Sequence, residues 1–346
     1  MNRKNIIARL GLAATLALSA SVSNAQDIHF SQFDMQPLVL NPAFTGMIDG
    51  GVRAGAIYRN QWKSVTIPYV TYGAYADMPL LRDDNGYLGA GLQLYKDQAG
   101  DGNLSNFSGL LSVAYHKFFG DNNDLAVGLQ GGYAQKSIDL SKLYFGDEFQ
   151  NGTFNHATSQ EYQLGLGNSV NYYLVNAGLA LSHSANNFSY VLGLSANNIN
   201  QPNDAIEKKQ SSQSASLGMR YTGVLGIDWR VGDRLRLRPA ALFQSQSSAT
   251  EFIVGNEFHY DLGANYGYKD FTPAVFLGAW MRSGDATMFT MGFEFKGVRV
   301  GLAYDYNIST LNNASNGNGG FEIAIKYISP LPGKFAGRRT IPCSRF

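Results

Sequence analysis

The sequence predicts an all-β fold: an antiparallel transmembrane β-barrel of about fourteen strands with a short N-terminal extension. Three observations carry this. Apolar residues alternate at period two from residue 51 almost to the end, the alternating runs suit a tilted bilayer crossing, and short connections alternate with long ones. The clearest stretch is 286–306. Phe289, Met291, Phe293 and Phe295 take every second position, Lys296-Gly297 intervenes, and Val298, Val300, Leu302, Tyr304 and Tyr306 resume the pattern. Opposite residues of a hairpin share one face, so a two-residue loop pairs Phe295 with Val298. The apolar side chains then lie on one side, and Glu294 meets Arg299 on the other. One oily face and one face of charges and glycines is what a membrane barrel needs.

The elements follow in order. Residues 1–25 read as an export signal: Arg3, Lys4 and Arg9, an apolar stretch over 10–18, and Ser23-Asn24-Ala25 as a small-residue cleavage site. The mature chain is expected to begin at Gln26. The apolar stretch is short for a spanning helix, and no later window is long enough to make one. Residues 26–50 carry Pro37 and Pro42 and no period-two run, so they form an extended or turned segment before the first strand.

Strands are expected over 51–59, 69–78, 87–96, 106–116, 124–135, 172–183, 189–197, 217–230, 234–243, 250–260, 273–282, 286–295, 298–306 and 320–328. Lengths of roughly nine to eleven residues suit tilted crossings. An even count puts both ends of the barrel domain, 51–329, on one side of the membrane. Long connections follow the fifth, seventh and thirteenth strands, and short ones follow the fourth, sixth, eighth and twelfth. That asymmetry fits outer loops opposite periplasmic turns. The connection at 260–272 is long for the turn side, which leaves the register of 250–282 open. Residues 330–346 form a proline-containing, basic tail that includes Cys343, the one cysteine, so no intrachain disulfide is available.

Charge placement supports a wet interior. Leu217, Met219, Tyr221, Leu225, Ile227 and Trp229 face one way, against Arg220, Asp228 and Arg230. In the next strand Leu235 and Leu237 oppose Arg234, Arg236 and Arg238. A three-residue loop over 231–233 is expected to set Arg230 opposite Arg234 and Asp228 opposite Arg236. On the lipid face each arginine costs ~2–4 kcal/mol at the midplane, so these residues, with Glu294 and Arg299, are expected to face the lumen. A solvated face of a soluble sheet is the alternative for this hairpin alone.

Composition agrees with a single barrel. Charged residues make up 15% of the chain and aromatics 13%, with 39 glycines; alternating strands give the slightly negative mean hydropathy. The net charge of +1, with no basic patch, offers nothing to nucleic acid. The histidines at 29, 116, 156, 183 and 259 lack metal-ligand spacing. No P-loop, G-x-S-x-G or H-E-x-x-H motif occurs, and Ser182-His183 is the nearest approach to a hydrolytic pair. No catalytic residue, cofactor or metal is expected.

Several short motifs then resemble one family. His29-Phe30-Ser31-Gln32-Phe33 is followed by Pro37-Leu38, Leu40-Asn41-Pro42-Ala43 and Thr45-Gly46, then Tyr58-Arg59-Asn60-Gln61-Trp62, Pro68-Tyr69 and Thr71. This series resembles the amino-terminal signature of the PorP/SprF family, outer-membrane proteins of the type IX secretion and gliding apparatus of Bacteroidetes. The likeness runs on to Asn318-Gly319-Gly320-Phe321-Glu322-Ile323 and a cysteine-containing end, where Ser344 stands in place of the proline expected after the cysteine. The resemblance implies a non-enzymatic barrel in outer-membrane lipid. It implies help in exporting or retaining a large adhesin with a C-terminal sorting domain, and ties to periplasmic ring lipoproteins. His29, Phe30, Phe33, Asn41, Pro42, Arg59 and Trp62 are the candidates for a lumen plug or a partner contact, with a simple strap across the barrel base as the alternative for 26–50. A general diffusion porin is the competing function, and a soluble secreted β-protein a third.

Overall fold

The computed structural model describes residues 29–63, 67–120, 122–150, 153–155, 168–185, 187–206, 216–263, 272–310 and 312–330. The signal sequence, His156, Cys343 and all of the tail beyond residue 330 lie outside them.

Fourteen antiparallel strands close into a barrel in which every strand pairs with its neighbours in sequence. They are β1 (Arg53–Gln61), β2 (Tyr69–Leu80), β3 (Gly86–Ala99), β4 (Leu104–Phe119), β5 (Asn123–Ser137), β6 (Ser169–Ser184) and β7 (Phe188–Asn197). The second half comprises β8 (Arg220–Arg230), β9 (Leu235–Gln246), β10 (Ala249–Asp261), β11 (Ala274–Arg282), β12 (Ala286–Phe295), β13 (Val298–Asn307) and β14 (Asn318–Ile328). All fourteen coincide with expected strands. A two-residue ribbon, Phe149–Gln150 with Thr153–Phe154, lies in the β5–β6 connection. β1 and β14 pair over Arg53↔Ile328 to Gln61↔Gly320, so the sheet has no free edge. Ser329 fastens the seam, where its amide donates to the Val52 carbonyl at 2.8 Å. Among the described residues no helix is long and apolar enough to cross a membrane; this chain crosses with strands.

The hairpin that carries the sequence argument forms in the expected register, with Phe295↔Val298 and Glu294↔Arg299. Lys296 and Gly297 both have positive φ (49° and 79°), as a type I′ turn demands, and the glycine makes its share costless. One expected register is corrected. Arg230 lies opposite Arg236, not Arg234, and Asp228 engages Arg238, whose Nε donates to its carboxylate at 2.9 Å. The Val231 amide donates to the Leu235 carbonyl, so the turn absorbs Arg234 and the pairing moves by two residues. A two-residue move preserves the face of every side chain. In the formerly open region β10 pairs β11 from Ile253↔Arg282 to Asp261↔Ala274.

Outside, the barrel is oily. Leu111, Leu129, Leu277 and Leu194 are more than half exposed, and dozens of other large apolar side chains are exposed as well. Tyr72, Tyr133, Tyr173, Tyr221 and Phe243 stand near the end that carries the long connections; Tyr115, Phe119, Trp229, Phe295 and Tyr327 stand near the other. Two aromatic girdles flanking an apolar band are the mark of a bilayer. Among the described strand residues, only Lys96 and Lys117 bring a formal charge to the outward face.

Candidate functional site

Inside the barrel lies the segment 29–50. It consists of two 3-10 turns (Phe33–Met35 and Pro42–Phe44) and one helical turn, Pro37–Leu40, and nearly all of it is buried. Its shape follows from local chemistry. Pro37 and Pro42 each open a turn, where a missing N–H costs nothing. Asn41 caps the second, its Oδ1 accepting from the Ala43 amide at 2.8 Å.

On one side the segment presses against β3 and β5–β7, where glycines let backbone meet backbone. A Cβ on Gly128 would sit 2.3 Å from the Ala43 nitrogen and the Pro42 carbonyl carbon; one on Gly178 would sit 1.9 Å from Asn41 Oδ1. Asn41 Nδ2 donates to the carbonyls of Leu179 and Leu194 at 2.9 and 3.1 Å, and Ser195 Oγ donates to the Leu40 carbonyl at 2.7 Å. Phe33, Leu40, Phe44 and Met47 join the main apolar cluster. Across the lumen, Phe33 meets Trp280 of β11 edge-on with 5.4 Å between ring centres.

On the other side it is tied by charge. Arg59 pairs with Glu322 and with Asp305, the latter at 2.9 Å, and donates to Ser31 Oγ at 2.8 Å. The same carboxylates hold the leader: Ser31 N and Gln32 N donate to Glu322 at 2.7 and 2.9 Å, and Ser31 Oγ donates to Asp305 at 2.6 Å. Asp34 faces Arg299 at 3.3 Å. Arg299 also pairs with Glu294 and Glu257 and lies 3.8 Å over the Phe276 ring. Nearer the turn side, Arg53 forks onto Asp77 at 2.8 and 2.9 Å and donates to the Phe44 carbonyl; Asp77 in turn accepts from the Gly46 amide. His116 bridges Asp124 and the Thr45 carbonyl, 2.9 Å to each.

The sequence candidates divide between these settings. Phe30, Phe33, Asn41, Pro42 and Arg59 are fully buried within the lumen. His29 stands at its outer end, Nδ1 3.6 Å from Glu251; burial, then the nearby Arg282, Arg59 and Arg220, holds its pKa well below the usual histidine value. Trp62 follows the end of β1 with φ 56° and packs edge-on against Tyr69. Arg220 reaches the Val39 carbonyl. Arg230, Arg236, Arg238, Asp228, Glu294 and Arg299 face inward and form an ion network completed by Asp261 and Glu257. Arg234 sits in the β8–β9 turn and is exposed, off the lumen wall. Sequence reasoning missed Arg53, Asp77, Arg282, Asp305 and Glu322. The parity rule itself holds their signal: Asp305 lies between Tyr304 and Tyr306, Glu322 between Phe321 and Ile323. Ser182 and His183 are no dyad, because consecutive strand residues point to opposite faces, and His183 bonds Asn123.

A closed, oily-walled, fourteen-stranded cylinder with an ionic lumen is an outer-membrane β-barrel. The family model for the type IX secretion system membrane protein PorP/SprF matches residues 22–327, so the chain belongs to that family. Family and fold are those of a secretion-system membrane barrel, not of an enzyme class. No curated protein sequence matches it. Among solved structures it is similar to the toluene transporter TbuX of Ralstonia pickettii (11% identity, 86% of this chain and 93% of that one, TM-score 0.49). It is also similar to the toluene transporter TodX of Pseudomonas putida (11%, 87% and 93%, 0.43) and to BamA from Haemophilus ducreyi lacking POTRA domains 1–3 (7%, 81% and 70%, 0.41). Likenesses this distant carry no inference about what this chain does.

Proposed function

We propose that this barrel, exported by a cleaved signal over residues 1–25, assists export or surface retention of a secreted adhesin bearing a C-terminal sorting domain. Its partners are that adhesin and periplasmic ring lipoproteins of the same apparatus. The observation that supports a docking role over a diffusion porin is the leader itself. Segment 29–50 occupies the lumen and is held there by the Asp34–Arg299 ion pair and by hydrogen bonds from Arg59 to Ser31 Oγ and from Arg53 to the Phe44 carbonyl. Hydrogen bonds to charged groups are worth ~1.5–3 kcal/mol each, so several of them together keep such a segment in place. Phe30, Phe33, Asn41 and Pro42 then seal the lumen, and Trp62, with the aromatic rim beside it, meets a partner at the cell surface. The type IX family assignment supports the secretion context.

Deleting the gene and measuring surface display of adhesins bearing a C-terminal sorting domain tests this reading, together with crosslinked pull-down of the tagged barrel. Lost display and co-purified adhesin or ring lipoprotein are expected. Normal display in the mutant would contradict the assignment.

A further inference from the structure

One outward-facing feature has no part in the plug. Across the β14–β1–β2–β3 seam runs a groove of about 630 Å³, lined almost wholly by apolar atoms. Its origin is a change of side-chain size along one hydrogen-bonded row. Ile325 pairs with Ala56, Ala56 with Ala74, and Ala74 with Leu94. Two alanines between larger neighbours leave a trough, and the next outward row toward the periplasmic end pairs alanines too, Ala54↔Ala76. At the opposite end the trough is roofed by Tyr58 and Tyr72, whose rings lie 5.3 Å apart.

Beside that roof stands Lys96. Its cross-strand neighbours are Tyr72 and Phe107, both on the lipid face. The adjacent carboxylate, Asp97, points inward and accepts from Thr71 Oγ1 at 2.6 Å. Lys96 is therefore a cation set in the outer aromatic girdle at the head of an apolar trough. The other outward lysine, Lys117, lies at the periplasmic end, on the row of Gly86 and Leu125. A charge on the lipid face is costly unless it reaches the interface or finds a counter-charge. Ammonium-to-phosphate contacts in this setting are charge-assisted and strong.

We propose that this groove is a binding site for the phosphorylated, multiply acylated glucosamine lipid of the outer leaflet, lipid A. One acyl chain lies along Ala56 and Ala74 between Ile325 and Leu94, and a phosphate meets Lys96 beside Tyr72. The trough fixes the chain by shape, and the lysine fixes the headgroup by charge. The end at which Lys96 stands is the end with the long β5–β6 and β7–β8 connections, which is the outer leaflet's side.

Native mass spectrometry of the full mature barrel, released from detergent micelles with added lipid A, tests the site. The wild type is expected to retain one lipid A and to lose it when the lipid is dephosphorylated. Lys96→Leu is expected to weaken retention about tenfold, in keeping with the loss of one charge-assisted contact, while Lys96→Arg keeps it. Ala56→Leu with Ala74→Leu, which fills the trough, is expected to abolish it. Heat-modifiable migration of each variant establishes that the barrel has formed. Equal retention by Lys96→Leu and wild type would overturn the proposal. So would equal retention of phosphatidylglycerol, or of dephosphorylated lipid A. Dimers crosslinked through Ala74→Cys in native membranes, marking the groove as a contact between two copies, would overturn it as well.

Discussion

The two sides of the lumen hold the same segment by different physics. Where β5–β7 face Asn41, Pro42 and Ala43, the wall is glycine, small side chains and neutral amides, and these residues approach its backbone directly. Along β1 and β10–β14 the wall that meets Ser31, Gln32 and Asp34 is arginine and carboxylate, and these residues are written into an ion network. The first side recognises shape and tolerates no added atom. The second recognises charge and must be satisfied as a set, since a half-broken buried network costs more than none. The leader is thus wedged from one side and tethered from the other.

The largest effect is expected on the shape side. Gly128→Leu places a side chain where the backbone of Pro42 and Ala43 stands, and main chain cannot swing aside as a flexible side chain does. The leader should be expelled, with the strands intact, and steady ion conductance should appear in a planar bilayer. Conductance unchanged from wild type would show that the wedge is unnecessary.

Next come the tethers. Arg59→Ala leaves Glu322 without its cation and Asp305 with Arg282 alone, and should destabilise the docked leader by about 3–5 kcal/mol. The expected readout is protease cleavage within 29–50 under conditions where the wild type resists. Arg59→Ala with Glu322→Gln should be milder than the sum of the single variants, because the pair acts as one unit. Strict additivity would separate the two residues.

Asn41→Ala is smaller again. It removes the cap on residues 42–44 and the bonds to Leu179 and Leu194, about 1–3 kcal/mol in all. The lowered melting temperature of the leader contacts, followed by hydrogen exchange at Ala43, reads it.

The smallest effect concerns pH. His29 has its pKa depressed in the folded state by burial and by arginines. Above its ordinary value near 6.5 both states are neutral and it contributes nothing to pH dependence; below that value the free leader takes up the proton and the docked one resists. Docking should therefore weaken as pH falls through 6.5, and His29→Gln should flatten that slope. A wild-type slope surviving in His29→Gln would assign it to another group.

How much of this the sequence disclosed divides along the same lines. Period-two alternation fixes which face each strand residue takes, so the strands, the oily exterior and the inward Glu294–Arg299 pair were all legible. Register depends on turn geometry, and the turn at Val231–Arg234 moved Arg234 off the wall without disturbing any face. The leader was harder. Its motifs mark it as a distinct segment, yet nothing in 29–50 states that Asn41 meets Gly178 or that Ser31 meets Glu322, contacts separated by well over a hundred residues. Such pairings come from closure of the barrel, which brings β14 beside β1. Lys96 was legible as an outward cation by parity; only the trough beside it gives that placement a use.

Single-molecule conductance of the full mature barrel in a planar bilayer, with no partner added, bears on all of this most directly. A cylinder closed by its own leader is expected to pass almost no current at moderate voltage, while Gly128→Leu passes a steady one. Large, ohmic, long-lived channels from the wild-type protein would mean that the lumen is open and the docking role assigned to this barrel is wrong.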